Sequence, residues 1–240
     1  MIQFITEHLT QWIAPDGGGM LDLDDVAPAN YGCALDRTKN QNGILYLVHP
    51  AFEFVTAYPE FKELYKRAFE KHMASTEIIS GCHSRSCGDR FAIRQSHDNV
   101  LAMLIGGWLF ESEYRYNVFY FLKNHNFNYN VSDPDAFDSR CQLQGGDIAI
   151  VHFAVNKPAP MWCVIWLAIG LAFTTKWNLA DLRVSFLREN IFKTIPKLES
   201  IILAFGMVAH GIHRGTRASK FRLFDFKPEH PFVKFLEARG

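Results

Sequence analysis

Apolar positions along this chain cluster into helix-length segments separated by short polar connections, and the strict alternation of a half-buried strand is scarce. The pattern predicts about ten helices: Ile2 to Trp12, Gly43 to Ala57, Pro59 to Ala74, Asp98 to Ser112, Tyr114 to Asn124, Gly146 to Val155, Ala159 to Trp177, Ala180 to Phe192, Pro196 to Ile212 and Pro228 to Ala238. Several starts carry recognisable signals. Pro59 is followed by Glu60, Asp181 precedes an apolar run, and Pro196 and Pro228 stand where a proline without an N–H costs a helix nothing. One segment is ambiguous, because the run DIAIVHF from Asp147 to Phe153 is short enough to be either a strand or a buried helix.

The predicted helices are of two kinds. EFKELYKRAFEKHM is amphipathic, whereas MWCVIWLAIGLAF is apolar all round. Such a mixture suggests an all-α protein with one layer of helices enclosed by another, an α/α toroid, with an irregular helical bundle as the alternative. No fixed-period repeat selects between them. A chain of 240 residues buries a large core without help from a metal or disulfide, so a single helical domain over 1–240 is expected. The uncharged stretch from Pro158 to Thr175 raises the question of a membrane. Only Met161 to Phe173 is continuously apolar, and at ~1.5 Å per residue that run reaches roughly 20 Å, short of the ~30 Å hydrocarbon core. A buried central helix is therefore expected there, and a second inner helix over Ser200 to Ile212.

Charge narrows the partners. The 25 basic residues balance the 25 acidic ones, which leaves no net field to gather nucleic acid or anionic lipid. Five widely spread cysteines, Cys33, Cys82, Cys87, Cys141 and Cys163, fit a reducing compartment better than a disulfide scaffold. Cys82 and Cys87 lack the spacing and the second pair of a zinc clip, so neither metal nor cofactor is expected. The first residues contain Glu7 and lack a secretory signal's basic start, so a cytoplasmic or virion-associated location is expected. Phosphate-loop, GxSxG and HExxH patterns are all missing from the sequence.

Chemistry-bearing residues concentrate in a polar connection at 82–99, where HSRSCGDRFAIRQSHDN runs from His83 to Asn99 just before an apolar helix. In SHDN, Ser96 has the chemistry of a helix N-cap, and Asp98 with Asn99 suits the positive end of the helix dipole. The same residues also suit a site, with Asp98 as general acid or base, His97 as a second proton carrier and Asn99 as a ligand contact. Glycoside hydrolysis needs a second carboxylate. Glu53 is the leading candidate, since it sits in the apolar run AFEFV where burial would raise its pKa, with His49 four residues earlier on the same helical face. A His49 to Glu53 hydrogen bond that merely supports the core is the competing reading. Glu77 and Asp89 come next. Arg85, Arg90 and Arg94 have the geometry to clamp carboxylates, or to be consumed by ion pairs with Asp89 and Asp98. The loop from Leu122 to Arg140 mixes Phe127, Tyr129 and Phe137 with Asn and Asp, a composition shared by sugar-binding rims and protein interfaces. Cys141 and His152 could be cast as nucleophile and base, although no spacing requires it.

Three segments, NGILYLVHPAFEF at Asn42 to Phe54, RQSHDNVLAMLIGG at Arg94 to Gly107 and the apolar helices after Gly146, together resemble α/α-toroid proteins that act on glycans. They also resemble helical proteins of tailed phages that carry a similar SHDN helix start. The likeness covers about half of the chain. It implies a site at one end of a toroid, built from loops that precede inner helices, with acidic residues acting on a sugar polymer. Three functions follow as expectations: a hydrolase or lyase for a polysaccharide or another polyhydroxylated or anionic ligand, a noncatalytic virion or assembly component that forms homo-oligomers, and a membrane-associated helical protein.

Overall fold

The computed structural model describes residues 48, 55, 59, 62–83, 95, 97–129, 141–173, 177–190, 193 and 195–216. Over these residues the protein is all-α apart from one small hairpin. The order is α1 (Lys62–Thr76), β1 (Glu77–Ile79), β2 (Cys82–His83), α2 (His97–Leu109), α3 (Tyr114–Asn124), α4 (Gly145–Ala154), α5 (Met161–Phe173), α6 (Trp177–Asn190) and α7 (Lys197–Thr216).

Helix α1 is one-sided. Tyr65, Phe69, His72, Met73 and Thr76 recur at three- and four-residue spacing and are buried, while Glu63 and Arg67 face solvent. Its inner face meets α2 closely, since a Cβ on Gly106 would stand 2.6 Å from the Phe69 ring. The chain leaves α1 through a hairpin that the sequence did not announce. Gly81, at φ +78°, makes its turn, and its amide donates to Glu77 Oε1 at 3.0 Å, so Glu77 is a turn anchor. His83 follows, buried. Thr76 Oγ1 donates to the His72 carbonyl at 2.8 Å, so the 3.1 Å contact between Thr76 Oγ1 and His83 Nδ1 has the ring nitrogen as donor. Burial holds His83 neutral, with its pKa pushed down to about 3.

Helix α2 is buried on every side from Asn99 to Gly107, which its apolar sequence required. It packs on α3 and α4, and Trp108 meets Phe186 of α6 edge to face with ring centroids 5.1 Å apart. The ambiguous segment is helix α4. Asp147 at its third position accepts the Gln144 amide at 3.2 Å, which ties up a first-turn N–H and favours a helix over a strand. Helix α5 lies against α4 and then against α7. Gly206 sets the α5 to α7 distance, because a Cβ there would come within 2.8 Å of the Ala168 backbone.

The expectation of two inner helices requires correction. Helix α5 buries Cys163, Val164, Leu167 and Leu171, and α7 buries Leu203 and His210, but the other faces of both are open. Trp162, Ile165, Trp166 and Phe173 of α5, and Leu198, Ile201, Phe205, Val208 and Ile212 of α7, are exposed. Among the described elements α5 packs chiefly on α4 and α7, and α7 chiefly on α5. Among the described residues no helix is long and apolar enough to cross a membrane.

Candidate functional site

The start of α2 and the start of α4 come together around one imidazole. His97, first residue of α2, lies with Nδ1 2.8 Å from Asp98 Oδ1 and Nε2 2.7 Å from Asp147 Oδ2. Arg183 of α6 donates through Nη2 to Asp147 Oδ1. Asp147 thus receives His97 and the Gln144 amide on one oxygen and Arg183 on the other, and its side chain is only 6% exposed.

Two opposing effects set the protonation of His97. Burial alone would lower its pKa, yet hydrogen bonds to Asp147 and Asp98, and the charge of Asp147, together hold it above its ordinary value. A neutral ring would also turn a nitrogen lone pair towards a carboxylate oxygen. The stable form is an imidazolium that donates to both carboxylates. For Asp147 burial pulls upward, but the His97 hydrogen bond, Arg183 and the Gln144 amide hold the carboxyl below the usual range. Two cations and two anions therefore cancel, leaving a site rich in donors and acceptors without a net field.

This cluster forms part of the wall of a cleft of about 800 Å³. His97, Asp147 and Arg183 line one side, and Trp162 and Trp166 of α5 line another with Tyr129 and Phe173. The tryptophans are 54% and 58% exposed, which is unusual for the largest apolar side chain unless a partner covers it. Gly145 explains their position. A Cβ there would stand 2.6 Å from the Trp162 ring and 3.2 Å from Trp166, so only a bare backbone lets both indoles lie against the start of α4.

Of the sequence-predicted residues, His97 lines the cleft, and Asp98, 20% exposed, is bonded to the other edge of the ring and is not itself among the lining residues. Asn99 is 2% exposed, buried beside Val100, and not among the residues that line the cleft. Glu53, His49, Arg85, Arg90 and Arg94 lie outside the described residues, as do Ser96, Asp89 and Phe137. Tyr129 reaches the cleft, while Phe127 packs beside His152 with centroids 6.1 Å apart. His152 donates through Nδ1 to the Pro158 carbonyl at 2.8 Å and meets Phe119 edge to face, a structural placement. Cys82, Cys141 and Cys163 are free thiols, and burial pushes the pKa of Cys82 and Cys163 up to about 11, which makes them poor nucleophiles. Among the described residues no group of three His, Cys, Asp or Glu is arranged to hold a metal.

Asp147, Arg183, Trp162 and Trp166 were missed as site residues. Asp147 read as part of an apolar run and the tryptophans as core. The available signal was an acid in the first turn of a predicted helix, directly after Gly-Gly, and an indole pair one turn apart. No protein-family model, no curated protein and no solved structure matches this chain.

Proposed function

We propose that the cleft binds a glycan and that His97 with Asp98 forms its acid–base pair. The observation that carries this reading is the pair of exposed indoles, Trp162 and Trp166, facing a cleft shared with the charge-balanced His97, Asp147 and Arg183. Indole faces stack on the C–H surfaces of sugar rings, and a wall of paired donors and acceptors without net charge suits hydroxyl groups better than a free anion.

The two sides of the imidazole have different tasks. The Nε2 side is tied to buried Asp147, whose oxygens are both engaged, so Asp147 and Arg183 are positioning residues. The Nδ1 side is shared with the more exposed Asp98, and this is the hydrogen bond for which a ligand competes. The imidazolium gives its Nδ1 proton to the leaving glycosidic oxygen as the C–O bond breaks, water adds at the anomeric carbon, and the proton that water releases returns to Nδ1 by way of Asp98, which is general acid–base chemistry. We favour hydrolysis over elimination because, among the described cleft residues, the arginine is Arg183 and its charge is already neutralised by Asp147. Glu53 remains the proposed second carboxylate of this reaction. The α/α-toroid arrangement belongs to the same proposal, supported by the burial of α2 on every side.

The test is glycan affinity electrophoresis of the purified chain and of Trp162→Ala and Trp166→Ala on neutral and acidic polysaccharides. Retardation of the parent that is lost in both variants supports the reading. Equal mobility of all three proteins in every polymer overturns it.

A further inference from the structure

We infer that α7 is the contact helix of a homodimer, its occupant being a second copy of this chain. Leu198, Ile201, Phe205, Val208 and Ile212 are all exposed, and Phe205 is 73% open. Their spacing is three, four, three and four residues, the a and d alternation of a coiled-coil seam sustained over two heptads. A scattered set of surface apolar residues has no such period.

The flanking positions fit the same occupant. Of the positions that border the stripe, Ala204, Ala209 and Gly211 are small and Ile202 is larger but partly buried, so a second helix approaches closely over most of its length. From Ser200 to Gly211 the helix carries no Lys, Arg, Asp or Glu. That favours a protein partner over an anionic lipid surface, which would call for basic residues beside the apolar face. The area is also sufficient. From their fractional exposures, the five side chains offer on the order of 500 Å² of apolar surface, and Ile165 of neighbouring α5, which is not among the cleft residues, brings it to the ~600 Å² that each partner contributes at the lower end of specific interfaces. The opposite side of α7 is fixed to its own chain, where His210 Nδ1 lies 3.2 Å from the Leu171 carbonyl and Gly206 meets Ala168. The helix therefore presents a rigid, preformed ridge. With Phe205 third of the five residues, a two-fold axis near it makes the stripe self-complementary.

The experiment is sedimentation equilibrium of the full chain across the micromolar range, with Phe205→Glu, the milder Phe205→Gln and Trp162→Ala run alongside, and circular dichroism to verify that each is folded. The parent is expected to move from the 27.5 kDa monomer mass to twice that value as concentration rises. Phe205→Glu should weaken the dimer by roughly a hundredfold and Phe205→Gln by less, because a charge at the centre of an apolar seam has no partner. Trp162→Ala, a cleft residue, should dimerise as the parent does. A parent that stays monomeric throughout overturns the inference, as does a folded Phe205→Glu protein that dimerises equally well. Co-sedimentation with phosphatidylcholine and phosphatidylglycerol vesicles by a chain that is monomeric in solution would transfer the stripe to a lipid surface and also overturn it.

Discussion

Replacing Asp147 by Asn keeps the shape of the side chain and removes the charge on which three donors converge. His97 Nε2 at 2.7 Å, the Gln144 amide at 3.2 Å and Arg183 Nη2 all donate to this carboxylate. An amide retains one acceptor oxygen but turns an NH2 towards at least one of these donors, and it leaves Arg183, with a side chain 11% exposed, without its counter-ion. Breaking a buried pair from one side typically costs ~3 to 5 kcal/mol, so a loss of about 3 kcal/mol is expected, equivalent to a fall in Tm of roughly 6 to 12 °C for a domain of this size. The loss should depend on pH with a definite sign. His97 titrates above its ordinary 6.5, so its contribution is complete below that value and fades as pH rises through the folded pKa. Asp147 titrates below its ordinary 3.8, so its contribution is complete above that value and fades as pH falls through the folded pKa. The parent should be most stable between these limits, and Asp147→Asn should flatten both flanks. Urea unfolding of parent and variant at acidic, neutral and alkaline pH measures this. A loss below ~1 kcal/mol at neutral pH, or one that is the same at every pH, would refute the account of the cluster.

Three further outcomes rest on other parts of the molecule. Gly81→Ala should cost at least ~2 kcal/mol in chemical unfolding, because the residue sits at φ +78° and the added Cβ would lie 2.1 Å from the Asn117 carbonyl oxygen; an unchanged midpoint would show that the hairpin can move away from α3. Gly206→Val should destabilise by ~1 to 3 kcal/mol by forcing α7 away from the Ala168 backbone, read as a lowered Tm, and a neutral result would mean that α5 and α7 slide past one another freely. Trp166→Ala should change stability by no more than ~1 kcal/mol, since the indole is mostly solvated, while glycan affinity falls at least ~tenfold; a large Tm loss would make the indole a packing residue.

The helices were legible in the sequence where a single signal governed them. Tyr114 to Asn124 matches α3 to the residue, and α2 begins at His97 beside the expected Asp98 because the SHDN polarity gives way abruptly to an apolar run. Two features were legible only in part, for different reasons. The helix expected over Gly146 to Val155 is α4, but period alone left the run Asp147 to Phe153 open to a strand, and the capping contact from Asp147 is seen only in the folded chain. Apolar composition likewise does not say whether a helix is enclosed. Met161 to Phe173 and Ser200 to Ile212 read as interior, yet each has one covered face and one open face. The site was half legible. His97 and Asp98 carried their own signal as polar residues at a helix start, whereas Asp147 and Arg183 join them from 50 and 86 residues away in sequence, a convergence that only tertiary packing creates.

The most direct test of the central claim is depolymerisation of bacterial and algal polysaccharides by the parent chain and by Asp98→Asn, reading new reducing ends and unsaturated uronate absorbance together. The account predicts reducing ends without uronate absorbance from the parent on at least one polymer, and their loss in a variant that remains folded. Uronate absorbance would contradict the hydrolytic assignment. Full activity in the folded variant would contradict the acid–base role of the His97 and Asp98 pair, and silence from the parent on every polymer would contradict the enzyme reading and leave the helices as an assembly scaffold.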